Sequence, residues 1–129
     1  MIVAQEAESE TILIVDGDVI TRTVIAEYLR HCGFRVLEAG TGAEAMQALQ
    51  HAEFSIDIVL SDVELPGDVS GFALSQRIRK SMPQVKILLA GAVERIADTA
   101  GDLCEEGPHL AKPYDQRLIL EHIKRLRAR

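Results

Sequence analysis

The residues best suited to chemistry are acids that directly follow apolar runs, together with one lysine. Asp16 and Asp18 come after the run Ile12–Val15, Asp62 ends the run "IDIVLSD", and Lys112 follows a short apolar run and precedes a proline. Neighbouring carboxylates raise each other's pKa unless a cation lies between them, and Mg²⁺ is commonly held by one or two carboxylates plus phosphate oxygens. A lysine on the same rim would neutralise a phosphoryl oxygen. This set of residues predicts a phosphoryl group, a divalent metal and an acceptor carboxylate.

Short apolar runs alternate with amphipathic stretches, and these elements must position the acids. The apolar runs predict five strands: Ile12–Val15, Arg35–Ala39, Ile56–Ser61, Val85–Ala90 and, weakly, His109–Ala111. Helical spacing predicts five helices: one ending at Gly33, one opened by the capping box Thr41–Glu44, then Phe72–Met82, Val93–Leu103 and one capped by Asp115. Five strand–helix repeats predict a doubly wound α/β sandwich. A flavodoxin-like strand order 2-1-3-4-5 would bring Asp16 and Asp62 together at the carboxyl edge of the sheet.

Composition excludes several classes of protein. The chain has 129 residues and a net charge of −6, with 4% aromatic residues and no tryptophan, which argues against direct nucleic-acid binding. We interpret the basic end "KRLRAR" as a solvated helix end rather than a nucleic-acid contact. No apolar run approaches the roughly 20 residues of a membrane span. Residues 1–9 are too polar to bury and predict a disordered tail before one domain at 10–129.

The two cysteines, Cys32 and Cys104, form no CxxC motif. Two separate thiols fit a reducing cytoplasm, which is the localisation we expect, although the sequence leaves one disulfide open. No two histidines have the spacing of a transition-metal site, and the loop after the first strand has no glycine-rich phosphate-binding motif. A flavin or nucleotide enzyme is therefore a poor interpretation, and we expect a protein that is not an enzyme.

The segments "ILIVDGD", "IVLSDVELPGDVSG" and "LAKPYD" together resemble the receiver domain of bacterial response regulators over roughly residues 10–128. The resemblance implies a flavodoxin-like (βα)5 fold with a parallel five-stranded sheet, and phosphoryl transfer from the phosphohistidine of a sensor kinase or phosphotransfer protein. It implies that Asp62 is the phosphoacceptor, that Lys112 contacts the phosphoryl group, and that Asp16, Asp62 and Glu64 surround Mg²⁺. Glu64 would contribute its backbone carbonyl or its side chain.

The sequence departs from the family at two further key positions, 17 and 90, and more weakly at position 109. Gly17 stands where the family has a second acid, so we expect weak Mg²⁺ binding unless Asp18 or Glu64 compensates. Ala90 replaces the hydroxyl residue that bonds the phosphoryl group and helps to switch the opposite face. His109 stands near the family's switch aromatic, but we favour the simpler interpretation of a half-buried histidine on an edge strand.

Two functions from different classes remain open. The first is a phosphoacceptor receiver in a two-component phosphorelay, whose added charge biases a face formed by helix four, strand five and helix five toward a downstream protein partner. The second is a degenerate receiver that binds a partner without phosphorylation. With no effector domain after Arg129, we expect a protein–protein output and a possible homodimer through helices four and five. A stand-alone protein and a fragment of a larger regulator or hybrid kinase are both consistent with the sequence.

Overall fold

The computed structural model describes residues 10–51, 53–106 and 116–128. The strands are β1 (Thr11–Val15), β2 (Arg35–Ala39), β3 (Ile58–Asp62) and β4 (Lys86–Ala90). The helices are α1 (Val19–His31), α2 (Gly42–Gln50), α3 (Gly71–Ser81), α4 (Val93–Glu106) and α5 (Gln116–Arg127). The tail predicted for residues 1–9 and the strand predicted at His109–Ala111 lie outside the described residues.

The four described strands are parallel and lie in the order β2-β1-β3-β4. The predicted adjacency of strands one and three is confirmed, but the described part of the sheet has four strands rather than the predicted five. All five residues of β1 are buried, because helices cover both faces of the sheet. In register, Val15 lies beside Ser61, and Asp62 lies beside Ala90. The carboxyl ends of the central strands therefore meet at one edge.

Two apolar clusters occupy the two sides of the sheet and make the fold three layers deep. One cluster joins the sheet to α1, α4 and α5, and it includes Ile25, Ile96 and Ile119. The other joins the sheet to α2 and α3 through Ala45 and Leu74. The helix α1 leads from β1 to β2 on one face, whereas α2 and α3 lead in the opposite direction on the other face. Crossovers of a single hand require that arrangement.

Local signals in the sequence determine where the helices begin and end. The capping box is formed in part: Thr41 Oγ1 accepts the N–H of Glu44 at 3.0 Å, while Glu44 Oε1 accepts the N–H of Gly40 at 2.7 Å. Gly33 has a φ of 101° just beyond α1, which confirms the predicted terminating glycine. Ser70 caps α3 by accepting the N–H of Ala73.

The helices α1 and α4 run side by side in the same direction. Cys32 at the carboxyl end of α1 forms a disulfide with Cys104 in the last turn of α4, with Cα atoms 5.4 Å apart. The disulfide that the sequence left open is therefore formed. The helix α5 packs against both helices and runs in the opposite direction. The ion pair between Lys124, near the end of α5, and Glu94, at the start of α4, shows this direction. Within the described chain, no helix is both long and apolar enough to cross a membrane.

Candidate functional site

Asp16 is a buried carboxylate at the carboxyl end of β1. The residue is only 4% exposed, and its Oδ1 accepts a hydrogen bond from the N–H of Asp18 at 2.9 Å. Burial raises its pKa to about 6, and the negative charges of Asp62 and Asp18 act in the same direction. The hydrogen bond from Asp18 and the charge of Arg22 only partly oppose this. An acid held in this way gains from any cation that reaches its free oxygen.

Asp62 ends β3 and shares a shallow pocket with Asp16. The carboxylate is half-buried, and its Oδ1 accepts the N–H of Glu64 at 3.3 Å. The pocket has a volume of about 160 Å³ and is lined by three acids, one arginine, one threonine and four residues that follow β4: Asp16, Asp18, Asp62, Arg127, Thr21, Gly91, Ala92, Val93 and Ile96. The two carboxylates that the sequence separates by 46 positions thus face one cavity.

Asp18 has a different role from the one expected of it. It caps α1, since Oδ1 accepts the N–H of Ile20 at 3.3 Å and Oδ2 accepts the hydroxyl of Thr21 at 2.6 Å. Burial acts to raise its pKa, but the hydrogen bond from Thr21 and the charge of Arg127 outweigh burial and lower it. Asp18 is therefore the cap of the first helix, and its oxygens are already engaged.

Neither Glu64 nor Gly17 places a side-chain carboxylate in the described pocket. Glu64 is exposed in the loop after β3 and does not line the described pocket. Gly17 faces Pro66: a Cβ built on the glycine would lie 2.7 Å from Cδ of the proline ring and 3.0 Å from Cγ. Position 17 therefore has neither a carboxylate nor room for one beside the present position of Pro66.

The end of β4 offers backbone groups rather than a hydroxyl. Ala90 is buried, and its carbonyl accepts the N–H of Val63 at 3.3 Å. Gly91 and Ala92 are exposed and line the pocket, so backbone N–H groups are the donors that this strand end could offer to an anion on Asp62. Lys112 and His109 lie outside the described residues, and their roles stay predictions.

Arg127 is the pocket residue that sequence reasoning missed. Its Nε lies 3.3 Å from Asp18 Oδ2, which places the carboxyl end of α5 at the acidic edge of the sheet. The interpretation of "KRLRAR" as a solvated helix end agrees with the exposure of Lys124 and Arg127, and each of these two side chains also pairs with an acid at this edge. Only the packing direction of α5 reveals this contact, and the sequence carries no local signal for it.

The donor set fits a divalent ion with few protein ligands. In the described ranges no cluster of three or more histidine, cysteine or acidic side chains is arranged to hold a metal. Because Asp18 caps α1, the carboxylates of Asp16 and Asp62 remain available in the pocket, and Asp16 is buried with a raised pKa. Mg²⁺ keeps several waters and is usually held by one or two carboxylates plus phosphate oxygens, so Asp16 and Asp62 are sufficient in kind.

Comparison with known proteins identifies relatives of the whole fold. A sequence profile described as the response regulator receiver domain matches residues 12–124. The probable transcriptional regulatory protein TcrX of Mycobacterium tuberculosis is 30% identical over 124 residues, which cover 95% of this chain and 50% of that protein. The chemotaxis response regulator CheY4 of Vibrio cholerae is 26% identical, with a TM-score of 0.58 over 92% of this chain and 98% of that one.

A third match comes from a complex of two proteins. A crystal structure of the histidine kinase ThkA with the response regulator protein TrrA contains a chain 32% identical to this one, with a TM-score of 0.59 over 64% of this chain and 69% of that chain. Among curated relatives, this chain spans between 9% and 50% of the full length of the proteins it matches.

Proposed function

Because this chain belongs to the response regulator receiver domains, we propose that it accepts a phosphoryl group on Asp62 in a two-component phosphorelay. The observation that carries the proposal is the shared pocket of Asp16 and Asp62, with the backbone of Gly91 and Ala92 at its rim. A structural acid at the end of a buried strand would gain nothing from a second buried acid beside it, whereas a phosphoacceptor needs both. We assign the receiver domain to residues 10–129.

In the proposed reaction one carboxylate oxygen of Asp62 attacks the phosphorus of a donor phosphohistidine. The new O–P bond forms as the P–N bond breaks, and the electron pair stays on the imidazole nitrogen. The N–H groups of Gly91 and Ala92 face the phosphoryl oxygens and stabilise their charge. Lys112 is proposed to contribute an ammonium to the same group. The domain acts as a signalling module that receives the group and is not itself proposed to be an enzyme.

Mg²⁺ would neutralise charge between the two carboxylates and the phosphoryl oxygens when it is bound. Asp16 and Asp62 would hold it, and the backbone carbonyl of Glu64 is the third proposed ligand. Because Gly17 contributes no charge and Asp18 is engaged in capping α1, we propose that this metal site is weaker than one with three acids. His109 and Ala90 are the proposed switch positions, with Ala90 unable to donate a hydroxyl hydrogen bond.

The partners we propose are a sensor histidine kinase or a phosphotransfer protein upstream and a protein downstream, without direct nucleic-acid or membrane binding. The ThkA–TrrA complex supports the first, because a response regulator is bound to a histidine kinase there. A homodimer through α4 and α5 and a cytoplasmic location are also proposed.

A phosphorylation-independent interaction module is the second candidate. Gly17 and Ala90 favour it, because each removes a group that receivers use on the phosphoryl group or its metal. The shared pocket of Asp16 and Asp62 disfavours it, because a constitutive scaffold has no need of a buried carboxylate whose pKa is raised.

Incubation with acetyl phosphate and Mg²⁺, followed by intact mass measurement, separates the two candidates. The receiver predicts a gain of about 80 Da that disappears in Asp62→Ala and persists in the control Asp68→Ala, an exposed acid of the same loop. A mass that stays unchanged in the wild-type chain at saturating acetyl phosphate contradicts phosphoacceptance and leaves the interaction module.

A further inference from the structure

The last turn of α5 brings a positive charge into the acidic pocket. Arg127 lines the pocket together with Asp16 and Asp62, and its Nε lies 3.3 Å from Asp18 Oδ2. Lys124 lies one turn earlier on α5 and pairs with Glu94 at 3.7 Å. The carboxyl end of α5 thus forms two ion pairs near the site, and among the described residues Arg127 is the only cationic side chain that lines this pocket.

We propose that Arg127 binds the phosphoryl oxygens carried by Asp62, exchanging its contact with Asp18 for the new anion. This inference rests on the proposed function and adds a phosphoryl-binding residue to it. The ligand class is a phosphoryl group or a tetrahedral phosphoryl mimic. A guanidinium presents paired N–H donors that match the oxygens of such a group. Ala90 donates no hydroxyl hydrogen bond to the phosphoryl group, so a phosphoryl oxygen is left available for Arg127.

The exchange is energetically accessible because the present ion pair is exposed. The side chains of Arg127 and Asp18 are 50% and 34% exposed, and pairs of this kind contribute little to stability. Asp18 also loses little when Arg127 leaves, because its oxygens still accept the Thr21 hydroxyl and the Ile20 N–H. A phosphoryl group with a charge of about −1.5 to −2 attracts the guanidinium more strongly than one carboxylate does.

The same contact would couple the site to the packing of α5. Arg127 belongs to the helix that lies against α1 and α4. A shift of its side chain toward Asp62 would therefore pull the last turn of α5 toward the pocket. The ion pair between Lys124 and Glu94 lies at that turn and would report the movement. Phosphorylation would then reach the α4–α5 surface without a hydroxyl at position 90.

The test compares Arg127→Gln, Arg127→Lys and the control Arg125→Gln, which removes a neighbouring exposed cation that does not line the described pocket. We expect Arg127→Gln to slow the mass gain from acetyl phosphate at least about tenfold and to weaken binding of the beryllium trifluoride anion, followed by amide NMR, by a similar factor. Arg127→Lys should lie between Arg127→Gln and the wild-type chain. Circular dichroism verifies that each variant is folded.

Three results are possible, and each decides the matter. Weaker phosphorylation and weaker anion binding in Arg127→Gln alone support the inference. Equal values for Arg127→Gln and Arg125→Gln, with a wild-type chain that is phosphorylated, overturn the role of Arg127 and leave the proposed function standing. A wild-type chain that takes up neither the phosphoryl group nor the anion overturns both.

Discussion

Pro66 lies against the one face of Gly17 from which a side chain would project. The distance from a Cβ at position 17 to Cδ of the proline would be 2.7 Å, below what real Cβ contacts show. The positive-φ glycines of the described chain are Gly33 and Gly67, so the backbone at position 17 admits other residues and only the contact excludes them. The absence of an acid at position 17 is therefore linked to the position of the loop after β3, because Pro66 of that loop occupies the space that a side chain would need.

Restoring the acid at position 17 should require relief at position 66. We predict that Gly17→Asp alone leaves Mg²⁺ affinity nearly unchanged, because the proline ring occupies the space beside the new side chain. Gly17→Asp with Pro66→Ala should bind Mg²⁺ at least about tenfold more tightly than the wild-type chain, since a third negative charge then faces the ion. Amide shifts near Asp62 during a Mg²⁺ titration measure the affinity.

Pro66→Ala alone is the control and should leave Mg²⁺ affinity as it is. Gly17→Ala should lower the free energy of unfolding by about 1–3 kcal/mol in the wild-type chain and by less in the Pro66→Ala background. Tighter Mg²⁺ binding by Gly17→Asp without the second change would show that the proline moves freely.

The raised pKa of Asp16 predicts an unusual pH dependence of stability without metal. Its folded-state pKa of about 6 lies above the ordinary value of 3.8, so the folded chain binds the proton more tightly than the unfolded chain. The stability that protonated Asp16 contributes is complete below about pH 4 and is lost as the pH rises through 6, a change of about 3 kcal/mol. Denaturant unfolding at several pH values measures this loss.

Asp16→Asn isolates the effect, because its Oδ1 can still accept the N–H of Asp18 while the charge is gone. We predict that Asp16→Asn is more stable than the wild-type chain at pH 7 and equally stable near pH 4. Added Mg²⁺ should stabilise the wild-type chain at pH 7 and should leave Asp16→Asn unchanged. Parallel stability curves for the two chains across this range would contradict the assignment.

The disulfide should contribute to stability through the loop it closes. Cys32 and Cys104 are separated by 72 positions, and a cross-link of that span is expected to contribute about 2–4 kcal/mol by restricting the unfolded chain. Under oxidising conditions Cys32→Ser with Cys104→Ser should lower the free energy of unfolding by that amount plus the cost of burying two serine hydroxyls. With a dithiol reductant present, the gap should shrink to the serine cost alone. A gap that reduction leaves untouched would mean that the thiols are not joined.

Position 90 should limit how strongly phosphorylation is transmitted. A hydroxyl at the end of β4 would donate to the phosphoryl oxygen beside Asp62, and such a bond to a charged group contributes about 1.5–3 kcal/mol. We predict that Ala90→Ser enlarges the amide shifts of α4 on addition of beryllium trifluoride, because the switched population rises. Ala92→Ser is the matched control at the pocket rim. Identical shifts in the wild-type chain and Ala90→Ser would exclude a role for this position.

The central part of the fold was readable from local patterns. The uninterrupted apolar run before Asp16 predicted a strand buried on both faces, and β1 is that strand. The capping box at Thr41 and the terminating role of Gly33 follow from chemistry within a few residues of each position. The expected closeness of Asp16 and Asp62 followed from the predicted strand order, and β1 and β3 are indeed neighbouring parallel strands.

Other features depend on contacts that no local pattern encodes. The closeness of Pro66 to Gly17 and the approach of Arg127 to the pocket both join segments far apart in the chain. Leu118 is 51% exposed while its neighbour Ile119 is fully buried, because the packing direction of α5 sets which face is covered. Pairing of Cys32 with Cys104 likewise follows from how α4 lies on α1.

Locating the phosphoryl group on the chain is the measurement that tests the central claim most directly. After reaction with acetyl phosphate and Mg²⁺, borohydride reduction converts a phosphorylated aspartate to homoserine, and peptide sequencing by mass spectrometry identifies the position. The account predicts homoserine at position 62 and unmodified aspartate at positions 16 and 18. Homoserine at another acid, or none in a chain that binds Mg²⁺ at Asp16, would contradict it.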